Sequence, residues 1–220
     1  MKLLIVSGTY LIAFNQRKWV QLLAIDPDQQ IKLVTPECLP TSFGPRRRER
    51  HPAFDTRAVP ELRSFFNRSH MSYLVNPFAL VGLMRGYKPD RIHIEEDPYS
   101  VIGFETVLLA RLFARQAKIS FFLWDNLARE PGGIKGWIKS SLNRFGLGRA
   151  DLVICGNRQG QALLQEKKNY AGRSMVLPQL GLTASEYAGG KNFELREELG
   201  VGRETVLIGY VGRTVPEKEL

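Results

Sequence analysis

The sequence predicts an α/β domain built on a Rossmann-like, doubly wound parallel sheet, and three observations carry that expectation. Short apolar runs alternate with longer segments of helical character along most of the chain, the pattern of repeated strand–helix units. The runs are apolar at nearly every position, as strands covered on both faces require. The first run ends on Ser7-Gly8, a glycine turn of the kind that passes a sheet strand into its first helix.

Taken in order, Lys2 to Val6 is the first strand and Asn15 to Ile25 the first helix, with Trp19, Leu22 and Leu23 on one face. Ile31 to Thr35 is a second strand. Pro36 to Ser72 shows little periodicity and is expected to be loop. A helix over Pro77 to Gly86 leads to a strand over Arg91 to Ile94, which ends in Glu95, Glu96 and Asp97. A helix over Val101 to Ala114 follows, then a strand from Lys118 to Leu123. Pro131 to Phe145 combines a glycine-rich turn with an amphipathic helix on which Trp137, Ile138, Leu142 and Phe145 recur at helical spacing. Ala150 to Cys155 is a strand, Asn157 caps the next helix, and Met175 to Pro178 closes the sheet. Residues 184–203 read as a bridge, with a short helix over Phe193 to Leu199, and Val206 to Val211 as one further buried strand.

Composition narrows the function. With 44% apolar and 24% charged residues, 220 residues suffice for one good core, not for a disordered chain. Cys38 and Cys155 have neither metal nor redox spacing, which points to a reducing, cytoplasmic setting. The N-terminal run is too short for a signal peptide, and no stretch of about 18 apolar residues is free of charge. A net charge of +9 implies anionic partners: phosphates, acidic lipids or nucleic acid. Nucleic acid lacks support from any zinc spacing or aromatic-interleaved basic surface. The fingerprint G-x-G-x-x-G is absent, since Gly8 stands alone, which argues against a nicotinamide or flavin enzyme.

Several residues stand where such a domain binds ligands. Gly8 and Thr9 occupy the first turn, where backbone N–H groups meet an anion or merely close a tight bend. Glu95 and Glu96 lie at a strand's carboxyl end, placed to hydrogen-bond hydroxyls or to favour the start of the following helix. Asp125, Asn126 and Arg129 follow the strand that ends at Leu123. Arg46, Arg47 and Arg48 lie in the densest charge of the chain, either a solvated loop or a contact with phosphate head groups. Trp137 sits on a helix that packs on the sheet or lies at a membrane interface.

The segment Ile208-Gly-Tyr-Val-Gly-Arg-Thr-Val-Pro-Glu-Lys218 resembles the opening of the nucleotide-sugar domain of the family 4 retaining glycosyltransferases, enzymes of the GT-B fold. Pro89-Asp-Arg-Ile-His93, Ala150-Asp-Leu-Val-Ile154 and Leu180-Gly-Leu-Thr183 resemble further segments of that family in the same order. Glu95, Trp124, Thr183 and Glu219 depart from it, standing where relatives carry His, His, Asp and Gly. The resemblance implies an acceptor-side Rossmann-like domain over 1–183, a linker over 184–203, and the first strand and loop of a donor domain over 204–220. It implies that Arg213 and Lys218 grip the donor diphosphate with help from Gly8 and Thr9; Asp125 and Asn126, polar residues at the strand end where relatives carry a His, are the candidates for catalysis. Glu95, Glu96 and Arg129 would contact the acceptor. No metal or other cofactor is implied, and the partners are a nucleotide sugar and a glycan or lipid-linked acceptor, at the cytoplasmic side of a membrane. The 220 residues alone are expected to be inactive in transfer. The rival readings are a noncatalytic module on an anionic membrane and a Rossmann-like enzyme using another nucleotide cofactor.

Overall fold

The computed structural model describes the chain except residues 42–43, 55–57, 70–71, 125–131, 167–169, 182–192, 203 and 210–220. Six strands form one sheet: β1 (Lys2–Val6), β2 (Gln30–Val34), β7 (Arg91–Ile94), β8 (Lys118–Leu123), β9 (Leu152–Cys155) and β10 (Ser174–Val176). They lie in the order β10-β9-β8-β7-β1-β2, every neighbouring pair parallel. The helices between them are α1 (Arg17–Ile25), α2 (Pro77–Tyr87), α3 (Val101–Phe113), α4 (Gly133–Leu147) and α5 (Arg158–Glu166). This is the expected Rossmann-like α/β fold.

The strands form here because their side chains are buried on both faces. Leu4 and Val6 join one cluster with Leu80, Met84, Ile102, Val107 and Phe121. Leu3 and Ile5 face the other way, onto Trp19, Ile31, Leu33, Phe54 and Val59. Register fixes which residues emerge together, since Val6 is level with both Val34 and Ile94. Ser7, Thr35 and Glu95 therefore leave the sheet side by side.

Strand order also places a crevice. From β1 the chain moves to β2 on one side, then crosses to β7 on the other. Ligands of open α/β sheets bind outside the carboxyl ends of the strands at such a reversal.

Three expectations are corrected. The first helix begins at Arg17 rather than Asn15, after two 3-10 turns over Gly8–Leu11 and Ala13–Gln16. The amide of Asn15 donates to the carbonyl of Thr9 at 2.8 Å and that of Gln16 to Tyr10 at 2.7 Å, which holds the tighter path. Pro36 to Ser72 is not all loop: β3 (Cys38–Thr41) pairs with β4 (Gly44–Arg47), and β5 (Ser64–Ser69) with β6 (Ser72–Val75), both antiparallel. Finally, Val206 to Gly209 forms no strand, and Val206 and Ile208 are exposed rather than buried. A strand needs a partner for its backbone, and among the described residues of 181–220 the only regular element is α6 (Phe193–Glu198).

The chain divides into two compact units, Met1–Leu180 and Gly181–Leu220. Neither Cys38 nor Cys155 is in a disulfide, and Cys155 is fully buried. Among the described residues no helix is long and apolar enough to cross a membrane.

Candidate functional site

At the β1/β7 reversal the sheet ends in a buried network centred on Glu95, whose side chain is wholly inaccessible. One carboxylate oxygen receives the ammonium of Lys18 from α1 and lies 3.0 Å from Nε2 of His93. The other accepts the hydroxyl of Tyr10 and, at 2.8 Å, the amide of Gln179. His93 is held from behind, its Nδ1 2.8 Å from the hydroxyl of Ser120 on β8. Lys18 also donates to the carbonyl of Gln179 at 3.3 Å. One side chain thus ties together β7, β8, α1, the first turn and the segment after β10.

Electrostatics separate this carboxylate from its neighbour. Burial pushes Glu95 upward, but the hydrogen bond and charge of His93 and the ammonium of Lys18 outweigh it and hold the carboxyl at about 2. Among the described residues no cation stands beside Glu96. Burial drives it to about 8, against the opposing pull of the Gly8 N–H, and the charges of Asp97 and Glu95 add to the rise. At neutral pH the pair therefore holds one ionised and one protonated carboxyl side by side. Such divergence marks acid and base assignments in enzyme sites.

Glu96 faces the glycine turn. Its Oε1 accepts the Gly8 N–H at 2.7 Å and the Ser7 hydroxyl at 3.3 Å. The Thr9 N–H is spent on the Ser7 hydroxyl at 3.0 Å. Both turn N–H groups singled out in the sequence are therefore engaged inside the protein, with the Glu96 carboxyl standing where an anionic ligand oxygen would stand. Behind the carboxylates the chain is tightly spaced. A Cβ on Gly146 of α4 would lie 3.0 Å from the carbonyl of Pro98, and one on Gly103 of α3 would lie 3.2 Å from that of Asp97. These two glycines let both helices close on the segment that carries the pair.

The structure brings Gly8, Thr9, Glu95 and Glu96 to one edge. Asp125, Asn126, Arg129, Arg213 and Lys218 lie outside the described residues. The basic segment borders this edge: Arg46 pairs with Glu49 at 2.9 Å, Arg48 donates to the carbonyls of Thr35 and Leu62, and Arg47 is exposed on β4. That segment is fastened to the first turn, because Glu49 accepts the Ala13 N–H and Gln16 bridges the Glu49 carbonyl and the His51 N–H. Trp137 is 71% exposed on α4 beside Ile134 and Ile138. Among the described residues no group of three or more His, Cys, Asp or Glu is arranged to hold a metal ion.

Sequence reasoning missed Lys18, Tyr10 and Gln179, all of which meet Glu95. Only a lysine inside an otherwise apolar helix face next to Trp19 hinted at Lys18. Its partner lies 77 residues away.

Residues 20–179 match the sequence model of the glycosyl transferase 4-like domain. The chain belongs to that family. Among solved structures this glycosyl transferase 4-like chain resembles a UDP-N-acetylglucosamine 2-epimerase, at 17% identity and a TM-score of 0.51, over 80% of this chain and 47% of that one. It also resembles MnaA of S. aureus, solved with UDP, at 13% identity and a TM-score of 0.54, over 90% and 51% respectively. A sucrose-phosphate synthase structure from Thermosynechococcus elongatus aligns at 14% identity and a TM-score of 0.48, over 91% of this chain and all of that one. The first two show the shared fold, and the chain spans about half the length of each. No curated protein matches by sequence.

Proposed function

We propose that this chain supplies the acceptor-side domain of a retaining glycosyltransferase, which moves a sugar from a nucleotide sugar to a glycan or lipid-linked acceptor. The observation that carries the proposal is the buried Glu95/Glu96 pair at the sheet reversal of a glycosyl transferase 4-like domain. A nucleotide-sugar donor is in keeping with the UDP named for two proteins of the same fold.

The roles are those the family resemblance implies, and the chemistry accounts for them. As the bond between the sugar and the diphosphate breaks, charge grows on the leaving phosphate, and fixed cations stabilise it. Arg213 and Lys218 take that role. In a transfer on one face of the sugar, the leaving phosphate oxygen accepts the proton of the attacking acceptor hydroxyl. Asp125 and Asn126 orient the reacting sugar, and Glu95, Glu96 and Arg129 set the acceptor face. No metal enters this scheme.

The test is to incubate the protein, as expressed from its own gene, with nucleotide sugars and candidate acceptors and to read the product's anomeric configuration by NMR. Retention is expected. Arg213→Ala with Lys218→Ala is expected to lower kcat/KM by about 1,000-fold, as loss of two oxyanion-stabilising contacts does. Inverted product, or undiminished transfer by the double variant, overturns the proposal.

A second reading, attachment to an anionic membrane from the cytoplasmic side, is favoured by one feature. Ile134, Trp137 and Ile138 expose an apolar stripe on α4 beside Lys135, the form of an interfacial helix. Arg46, Arg47 and Arg48 would add attraction. Sedimentation with anionic vesicles tests it: Trp137→Ala should release the protein, and unchanged sedimentation contradicts it.

A further inference from the structure

The opposite end of the strands carries a second concavity. It has a volume of about 670 Å³ and lies between the last turns of α3, the start of β8 and the loop from α4 into β9. That volume falls in the range of small-molecule sites. It is separated from Glu95 by the length of β8, so a ligand there does not compete with one at the sheet reversal.

Its lining is lopsided in charge. Arg111, Arg115, Lys118 and Arg149 contribute four cations, and Asp151 the one carboxylate. Asp151 is already committed, since it accepts the Ile119 N–H at 2.8 Å and the Lys118 ammonium at 3.1 Å. Three guanidinium groups remain. That of Arg115 uses its Nε on the carbonyl of Arg111 at 3.0 Å and keeps its terminal nitrogens; that of Arg111 lies 5.6 Å from the ring of Phe145. Among the described residues Arg149 meets no carboxylate. Leu108 and Leu112, one turn apart on α3, line the same wall and are 38% and 52% exposed.

A competing account exists for part of this charge. Cations near the end of a helix offset the partial negative charge of its last carbonyls, and Arg115 does cap α3 in this way. One cap uses one of the five N–H donors of a guanidinium. The same account reaches Arg111, in the last turn of α3 and beside the Phe145 ring, and Arg149, just past the end of α4, but it leaves most of their N–H donors unspent and explains neither the cavity nor the exposed leucines.

We propose that this groove is a second ligand site, which takes a phosphate or pyrophosphate ester with its oxygens on Arg111, Arg115 and Arg149 and its apolar portion on Leu108 and Leu112. Guanidinium forks suit phosphate oxygens, and leucines suit a carbon chain. The same chemistry is offered by a soluble phosphoester and by a phospholipid head group.

Inorganic pyrophosphate is the probe, titrated calorimetrically into the protein at constant ionic strength. Saturable binding is expected, and Arg111→Ala with Arg149→Ala should weaken it by about tenfold or more, as loss of charge-assisted hydrogen bonds does. Vesicles of anionic phospholipid that displace pyrophosphate from the parent identify the head group as the source; vesicles that do not displace it identify a soluble ester. Absence of saturable binding overturns the proposal. So does a double variant that melts earlier yet keeps full pyrophosphate affinity, because that is the behaviour of helix caps alone. Should the double variant not fold, Arg149→Gln alone reads the same affinity.

Discussion

At the scale of single residues, Glu95 and Glu96 make opposite demands on the fold, and pH separates them. Glu95 is held at about 2 against an ordinary 4.5, so the folded state gives up that proton more readily than the unfolded one. Its stabilisation is complete above pH 4.5 and is lost as pH falls toward 2. Glu96 is raised to about 8, so the folded state keeps a proton that the unfolded chain has released. Stability therefore declines between pH 4.5 and 8, by up to roughly 4 kcal/mol from this group. Glu96→Gln keeps a neutral side chain and should flatten that decline, read by urea unfolding at pH 5, 6, 7 and 8. An unchanged slope would show that Glu96 is ionised in the fold. Glu95→Gln leaves the partly buried Lys18 without its carboxylate, and should cost about 3 kcal/mol at pH 7 in the same assay. The identity of both carboxylates was legible, because they follow an apolar run directly. Their partners were not, since Lys18 and Gln179 reach Glu95 only through the folded arrangement of three separate segments.

Among elements, the sheet strands were legible and the hairpins were not, for one physical reason. A strand covered on both faces must be apolar throughout, and β1 and β8 announce themselves in that way. The hairpins β3–β4 and β5–β6 lie outside the sheet and expose much of their surface. Pro45, Arg46 and Arg47 are exposed on β4, as are Phe65 and Phe66 on β5, where Phe66 has a φ of 53° and the register shifts. Such sequences carry no alternation to read. The β5–β6 hairpin is fastened to α3 by a buried hydrogen bond, from the Val75 N–H to Glu105 at 3.0 Å. Burial raises Glu105 to about 7. Glu105→Ala strands that N–H and should cost about 2 kcal/mol, whereas Glu105→Gln keeps an acceptor and should cost well under half as much. Equal losses in the two variants, measured by denaturant midpoint, would mean that packing rather than the hydrogen bond holds the hairpin. Gly146 tests the close approach of α4 to the carboxylate segment. Gly146→Ala places a methyl 3.0 Å from a backbone oxygen and should lower stability by about 1 to 3 kcal/mol. A neutral effect would show that α4 is free to move outward.

Across the whole molecule, strand order converts these local features into a site. The apolar runs predicted a parallel sheet, but apolar content carries no information about neighbours; only the reversal between β1 and β7 explains why Gly8 and Glu95, 87 residues apart in numbering, meet at one edge. The same geometry puts the basic groove at the other end of β8, away from that edge. The central claim is that the Glu95 network organises the acceptor side of a sugar-transfer site. It is tested most directly by sugar transfer from a nucleotide sugar, with Glu95→Gln set against Arg47→Ala, whose side chain is exposed on a hairpin. Glu95→Gln is expected to lower kcat/KM by about 100-fold, the scale of effect when reacting groups are misplaced by about 1 Å, while Arg47→Ala stays near the parent with a water-soluble acceptor. Transfer by Glu95→Gln at the parental rate would contradict the account.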